Sequence, residues 1–75
     1  MLIQFTPHAQ KKLKQRGILT RLVEEVLSQP EKTYASDDKL VSYKKFGHKY
    51  LLVIYERGEK VITVTTLFWR DDPNW

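Results

Sequence analysis

The spacing of hydrophobic residues changes once along this chain, near Pro30. Before that point apolar positions recur at helical intervals, as in Leu22, Val23, Val26 and Leu27, which stand at i, i+1, i+4 and i+5. This spacing places them on one buried helical face. After Pro30 the chain becomes a series of runs rich in β-branched and aromatic residues, which is typical of strands. The pattern therefore predicts two short N-terminal helices followed by a sheet.

Local signals set the ends of the two helices. Thr6 followed by Pro7 is typical of an N-cap and a first helical residue, and Gly17 of a C-terminal cap. We therefore expect helix one over 7–16. The second helix is expected over 20–28, with Thr20 as its cap, and ends at Gln29-Pro30.

The remaining runs predict strands and tight turns. Extended segments are expected at 2–5, 32–36, 40–46, 49–56 and 60–69. Gly47-His48 fits a tight hairpin turn with glycine at its first loop position. The last run is apolar on both faces near its end, which favours either a central place in the sheet or a partner that covers one face. The predicted fold is one α+β domain over 1–75, with two N-terminal helices packed on a 3–4 stranded antiparallel sheet.

Composition narrows the function classes. No apolar run approaches the roughly 20 residues that a membrane-spanning helix needs, and there is no cysteine for a disulfide or a thiolate metal site. The chain shows no Gly-rich phosphate loop and no metal-ligand spacing, so we expect neither a cofactor nor a metal. The expectation is a cytoplasmic protein without a membrane partner.

Positive charge is concentrated in two segments. The net charge is +4, and residues 1–16 contain four Lys or Arg and no acid. Lys44, Lys45, His48 and Lys49 form a second basic group. Segregated charge of this kind produces a basic face that attracts nucleic acid or an acidic protein.

His8, Lys12 and Arg16 stand at i, i+4 and i+8, so they form one polar row on helix one. An imidazole beside two cations suits a phosphodiester, with His8 exchanging a proton and the cations stabilising the phosphate. The alternative is a solvated helix face, which Lys11, Lys14 and Gln15 favour.

Aromatic residues alternate with cations around the predicted hairpin. If Tyr43, Lys45 and Tyr50 share a face, bases would stack on the rings while the cation holds the backbone. The alternative is cross-strand tyrosine packing beneath snorkelling lysines. Lys44 is a further candidate, since alternation alone does not decide whether Lys44 or Lys45 shares a face with His8. Arg70 would reach the same anion or pair with a neighbouring aspartate.

Three aromatic residues near the end suggest contacts with protein. Phe68, Trp69 and Trp75 are more typical of a core or a subunit contact than of a base-stacking surface. A homodimer through Phe68 and Trp69 is one expectation.

The first helix also carries a family resemblance. The run His8-Ala9-x-x-Lys12-Leu13-x-x-Arg16-Gly17-Ile18 resembles a domain-of-unknown-function family, DUF4258, although Lys12 stands where that family usually has Arg. The resemblance implies kinship with the RelE/ParE-like toxins, which have N-terminal helices on a curved antiparallel sheet. That superfamily includes ribonucleases, gyrase poisons and inactive relatives. Where RelE-type toxins often use a C-terminal Tyr or His, this chain offers Arg70 and Trp75.

These observations give three hypotheses. The leading one is a toxin-like, metal-independent endoribonuclease in which His8, Lys12 and Arg16 are catalytic. In that hypothesis the RNA is held by Lys44, Lys45, Tyr50 and Arg70. The second is a non-catalytic nucleic-acid-binding module that uses the same basic face. The third is a protein-interaction domain, with an acidic antitoxin or a second copy of the chain as its partner.

Overall fold

A computed structural model of the chain describes residues 2–71. The elements follow one another as β1 (Leu2–Phe5), α1 (Pro7–Arg16), α2 (Thr20–Ser28), β2 (Lys32–Ser36), β3 (Lys39–Phe46), β4 (Lys49–Arg57) and β5 (Val61–Arg70). Trp75, one of the predicted contact residues, lies outside the described part.

Helix α1 has the ends that the sequence predicts. The Oγ1 atom of Thr6 accepts a hydrogen bond from the Ala9 N–H at 3.1 Å, so it satisfies one of the free donors of the first turn. Gly17 closes the helix in the left-handed region, at φ +62°. That conformation strains any residue with a Cβ atom, which explains the glycine.

Helix α2 has the predicted extent but a different cap. Thr20 is its first helical residue, and the cap position belongs to Leu19, whose side chain makes no capping hydrogen bond. The prediction that Thr20 caps this helix is therefore wrong. The backbone of Leu19 is extended, and its carbonyl accepts from the Leu22 N–H at 3.0 Å. The hydrogen-bonded turn at the start of α2 therefore begins at the cap residue Leu19, and Thr20 follows it as the first helical residue.

The sheet has five strands in the order β1-β5-β4-β3-β2. Strand β1 pairs with β5 in parallel and the other pairs are antiparallel, so the sheet is mixed. The expected 3–4 stranded antiparallel sheet is wrong, although the class remains α+β. The two edge strands are short, and β2 is polar. An edge strand exposes unpaired backbone groups, and short or polar edges limit pairing with other chains. The interior position of β5 agrees with its apolar sequence.

Both helices pack on the same face of the sheet. Alternate residues of β4, Leu51, Val53 and Tyr55, join Ala9 of α1 and Val23 of α2 in one buried cluster. Since successive side chains of a strand point to opposite faces, the intervening residues of β4 lie on the side without helices. We call that side the open face.

The helix-covered face contains a chain of three hydroxyl groups with a buried serine at its centre. Ser42 is fully buried and its Oγ lies 2.8 Å from the Oγ1 of Thr33 and 2.8 Å from the Oη of Tyr55. The three residues belong to β2, β3 and β4, so this chain ties three strands together in one register.

Within residues 2–71, neither helix combines the length and the apolar surface that crossing a membrane requires.

Candidate nucleic-acid interface

Three residues from three neighbouring strands form a row across one end of the open face. Lys45 of β3 is the register partner of Tyr50 of β4, and Tyr50 is the partner of Arg70 of β5. Directly paired residues have side chains on the same face with Cβ atoms about 5 Å apart. The structure therefore brings these three predicted binding residues together, and we call them the Tyr50 row. Both cations are exposed and the tyrosine is half-buried between them.

A second row lies one step further along the strands and is apolar at its centre. Leu52, which is only 3% exposed, pairs with Tyr43 on one side and with Phe68 on the other. The Tyr43 ring meets the Tyr50 ring edge to face, with centroids 5.7 Å apart and planes at 78°. Three aromatic rings thus surround one buried leucine.

Each cation of the first row lies near an aromatic ring. The Nζ atom of Lys45 is 6.0 Å from the centroid of the Tyr50 ring, and the Cζ atom of Arg70 is 5.9 Å from that of Phe68. These distances are at the outer limit for a cation–π contact. The contacts keep the two cations over the face of the sheet without burying them.

Glu31 fixes the backbone that carries Lys45. Strand pairing between β2 and β3 begins at Lys32 and Tyr43, so the β3 residues beyond Tyr43 have no β2 strand beside them. The Glu31 carboxylate takes that place and accepts a 2.8 Å hydrogen bond from the Lys45 N–H. The Glu31 N–H donates to the Tyr43 carbonyl at 2.9 Å.

Lys44 lies on the other side of the sheet from Lys45. Its Nζ atom is 3.1 Å from the Glu25 carboxylate on α2, and its side chain is only 21% exposed. The predicted group of four binding residues is therefore divided, because Lys44 faces the helices while Lys45, Tyr50 and Arg70 occupy the open face.

The His8 row belongs to the helix-covered side. Ala9 is fully buried and Leu13 packs against the core, so α1 is held on the sheet by these two residues. His8 and Arg16 are exposed and Lys12 is half-buried. The predicted catalytic residues thus lie on the opposite side of the sheet from the Tyr50 row, and the structure does not assemble the two groups into one site.

Positive charge on the open face is concentrated at the end formed by the β3–β4 hairpin. At the other end Lys39 donates a 3.1 Å hydrogen bond to Glu56, and Asp38 lies 3.8 Å away. The hydrogen bond to Glu56, with the attraction of both carboxylates, raises the pKa of Lys39 above its ordinary value. The positive charge of Lys39 is therefore balanced by the carboxylates of Asp38 and Glu56.

Phe68 and Trp69, which the sequence groups as one dimer contact, lie on opposite faces of β5, and Glu31 is a residue that the sequence analysis did not identify. The contact of either residue with a partner stays a prediction. Trp69 packs against Phe46 on the helix-covered face, with ring centroids 6.3 Å apart. The alternation of Leu67, Phe68, Trp69 and Arg70 was the available signal, since it places Phe68 and Arg70 on the same face.

Two other surface features do not favour an anion. A groove of about 1080 Å³ lies between α2 and the β1 end of the sheet, and its rim carries both signs of charge, with Arg21, Glu24, Glu25 and Arg57. Among residues 2–71 no cluster of three or more His, Asp or Glu side chains is placed to hold a metal ion. Within the described residues, two arrangements are suited to a polyanion, namely the Tyr50 row on the open face and the cation row of α1.

Comparison with known proteins gives a family. The model of a domain of unknown function, DUF4258, matches residues 5–69, which run from the end of β1 almost to the end of β5. No curated protein and no solved structure matches the chain.

Proposed function

The chain belongs to the domain-of-unknown-function family DUF4258, and we propose that it binds RNA on the open face of its sheet. The observation that carries the proposal is the alignment of Lys45, Tyr50 and Arg70 across three adjacent strands. Two exposed cations flank a half-buried ring there, and within residues 2–71 both helices lie on the opposite face of the sheet. Cations of this kind neutralise phosphates, and a ring between them offers a surface to a base.

Removal of both cations tests this proposal. A fluorescein-labelled RNA oligonucleotide is titrated with the parent protein and with the double variant Lys45→Gln/Arg70→Gln, and anisotropy is read over a series of salt concentrations. The slope of log K against log salt is negative, and we expect it to become less steep by about 0.7 for each lost phosphate contact. The matched control is Arg57→Gln/Lys60→Gln, which removes two exposed cations at the other end of β4 and β5. Equal loss in both variants would contradict the proposal.

Metal-independent cleavage of RNA is a second candidate, and the row of His8, Lys12 and Arg16 on α1 favours it. His8 lies in the first turn of α1, which holds no acidic residue, and Lys12 and Arg16 follow at helical spacing. His8 would take the proton of a 2′-hydroxyl as that oxygen bonds to the adjacent phosphorus and the P–O5′ bond breaks. The leaving 5′-oxygen would be protonated by water, and the two cations would stabilise the added negative charge. Kinship with RelE/ParE-like toxins, an acidic antitoxin as partner and a cytoplasmic location belong to this candidate.

A gel assay separates the two candidates. The parent protein and His8→Gln are incubated with a mixed RNA pool in EDTA, and binding is read in a parallel native gel. Cleavage by the parent alone would support a catalytic His8. Equal cleavage by both proteins would contradict a catalytic role for His8. Binding without cleavage by both proteins would contradict it as well, and would leave RNA binding as the function.

A further inference from the structure

The open face carries two ring–cation pairs side by side, one across β3 and β4 and the other along β5. In each case a cation lies about 6 Å from an aromatic ring, with Lys45 beside Tyr50 in one pair and Arg70 beside Phe68 in the other. A nucleotide of a single strand has the matching composition, since it offers one flat base and one negative phosphate. Each ring–cation pair is therefore of the right kind for one nucleotide.

The two rings stand side by side. Tyr50 pairs directly with Arg70, and Phe68 precedes Arg70 by two residues on the same face of β5. Tyr50 and Phe68 are thus diagonal neighbours, whose separation in a sheet is roughly 7–8 Å. Leu52 pairs with Phe68 and lies buried between the strands, so the floor below the rings is closed and apolar.

From this repetition we infer that the open face holds two successive nucleotides of a single strand, one on each ring–cation pair. One base stacks on Tyr50 with its phosphate at Lys45, and the next stacks on Phe68 with its phosphate at Arg70. The inference rests on the proposed RNA binding and specifies its ligand. A duplex does not fit this site, because its bases are stacked on one another and only its edges and backbone face outward.

Tyr43 acts as a positioning residue in this arrangement. Its ring meets Tyr50 edge to face, which orients the Tyr50 ring from the side of β3. Glu31 contributes from the same side, since its N–H is bonded to the Tyr43 carbonyl and its carboxylate to the Lys45 N–H.

Removing one ring at a time tests the assignment. The variants Tyr50→Leu and Phe68→Leu keep an apolar side chain above the floor, and circular dichroism with thermal melting confirms that they fold. We expect each to bind an eight-nucleotide single-stranded RNA about tenfold more weakly, with an unchanged salt slope. The matched control is Tyr34→Leu on β2, the same change on the same face next to Val41 and away from both cations. A comparable loss in this control would overturn the two-nucleotide site.

Double-mutant cycles test which ring serves which cation. If Tyr50 and Lys45 hold the same nucleotide, Tyr50→Leu combined with Lys45→Gln should weaken binding less than the product of the single effects. Phe68→Leu combined with Lys45→Gln should be additive, because these residues belong to different nucleotides. Additivity in the first cycle and coupling in the second would contradict the assignment.

The choice of probe separates failure of this inference from failure of the proposed function. The same RNA is presented as a single strand and annealed to its complement. We expect the single strand to bind at least tenfold more tightly than the duplex. Equal affinity, together with no effect of the leucine variants, would overturn the stacking site while RNA binding stands. The absence of binding to either form would overturn both.

Discussion

The N–H group of Lys45 donates a 2.8 Å hydrogen bond to the carboxylate of Glu31. This bond places a negative charge beside one of the two cations that we assign to RNA. The carboxylate therefore has two effects, since it fixes the backbone of β3 and reduces the positive potential at the same end of the face. A substitution that separates these effects is informative.

We expect Glu31→Gln to bind RNA more tightly than the parent at low salt, by about twofold. The amide oxygen still accepts the hydrogen bond, while the negative charge near the phosphates is gone and the gain is screened as salt rises. Anisotropy at two salt concentrations measures this. Glu59→Gln, in the exposed turn between β4 and β5, makes the same change in net charge and is expected to have a smaller effect. Equal gains would mean that only net charge matters.

Lys44 and Lys45 are adjacent in sequence but should respond differently to the same substitution. Lys45→Gln removes a cation from the open face, so we expect RNA affinity to fall several-fold and the salt slope to decrease. Lys44→Gln breaks the ion pair with Glu25 on the helix side, so RNA affinity should change less than twofold. Because the Glu25 carboxylate is about half exposed, the loss of this ion pair should lower the free energy of unfolding by only about 0–1 kcal/mol. A stronger effect at Lys44 than at Lys45 would place the RNA on the helix-covered face and contradict binding on the open face.

The hydroxyl chain of Thr33, Ser42 and Tyr55 should stabilise the fold. Ser42→Ala leaves the Tyr55 hydroxyl without the partner that it has at 2.8 Å, in a residue that is only 5% exposed. We expect the free energy of unfolding to fall by about 1–3 kcal/mol in urea denaturation. Tyr55→Phe should cost less, because Ser42 keeps Thr33 as its partner. The double variant should be no less stable than Ser42→Ala. A sum of the two losses would show that the hydroxyls act independently.

The two helix starts give a matched pair of threonines. Thr6→Ala removes the side chain that accepts from Ala9 and donates to the Thr65 carbonyl at 3.2 Å, so we expect a loss of about 1 kcal/mol. For a domain of this size that lowers the melting temperature by about 4–8 °C. Thr20→Ala should change stability by less than about 0.5 kcal/mol, because Thr20 is inside α2 and is not its cap. Equal losses at both positions would contradict the assignment of the caps.

Local signals predicted the helices well, since their ends depend on nearby residues. Thr6, Pro7 and Gly17 act within one turn of the backbone that they cap, and the extent of α1 follows from them. The prediction of Thr20 as a cap was wrong because threonine is common both at a cap and in the first turn. The choice between the two positions depends on the backbone of Leu19.

The sheet shows what local patterns do not contain. The pairing of β1 with β5 joins residues such as Ile3 and Ile62, and no local signal specifies a parallel contact over that separation. The position of the site likewise depends on which of Lys44 and Lys45 faces the helices, and this is set by the register of β3 in the sheet. A bulge would have reversed the alternation, and the register shift that exists lies between Ile54 and Tyr55, beyond the Tyr50 row.

RNA binding on the open face is tested most directly by a nuclear magnetic resonance titration of the ¹⁵N-labelled protein with a short single-stranded RNA. We expect the largest chemical-shift changes at the amides around Lys45, Tyr50 and Arg70 and at the flanking residues of β3, β4 and β5. The amides of α1 around His8 and Lys12 should change little. If the largest changes fell on α1 and the amides of the open face did not shift, RNA binding on the open face would be contradicted. The row of His8, Lys12 and Arg16 would then be the RNA-binding surface.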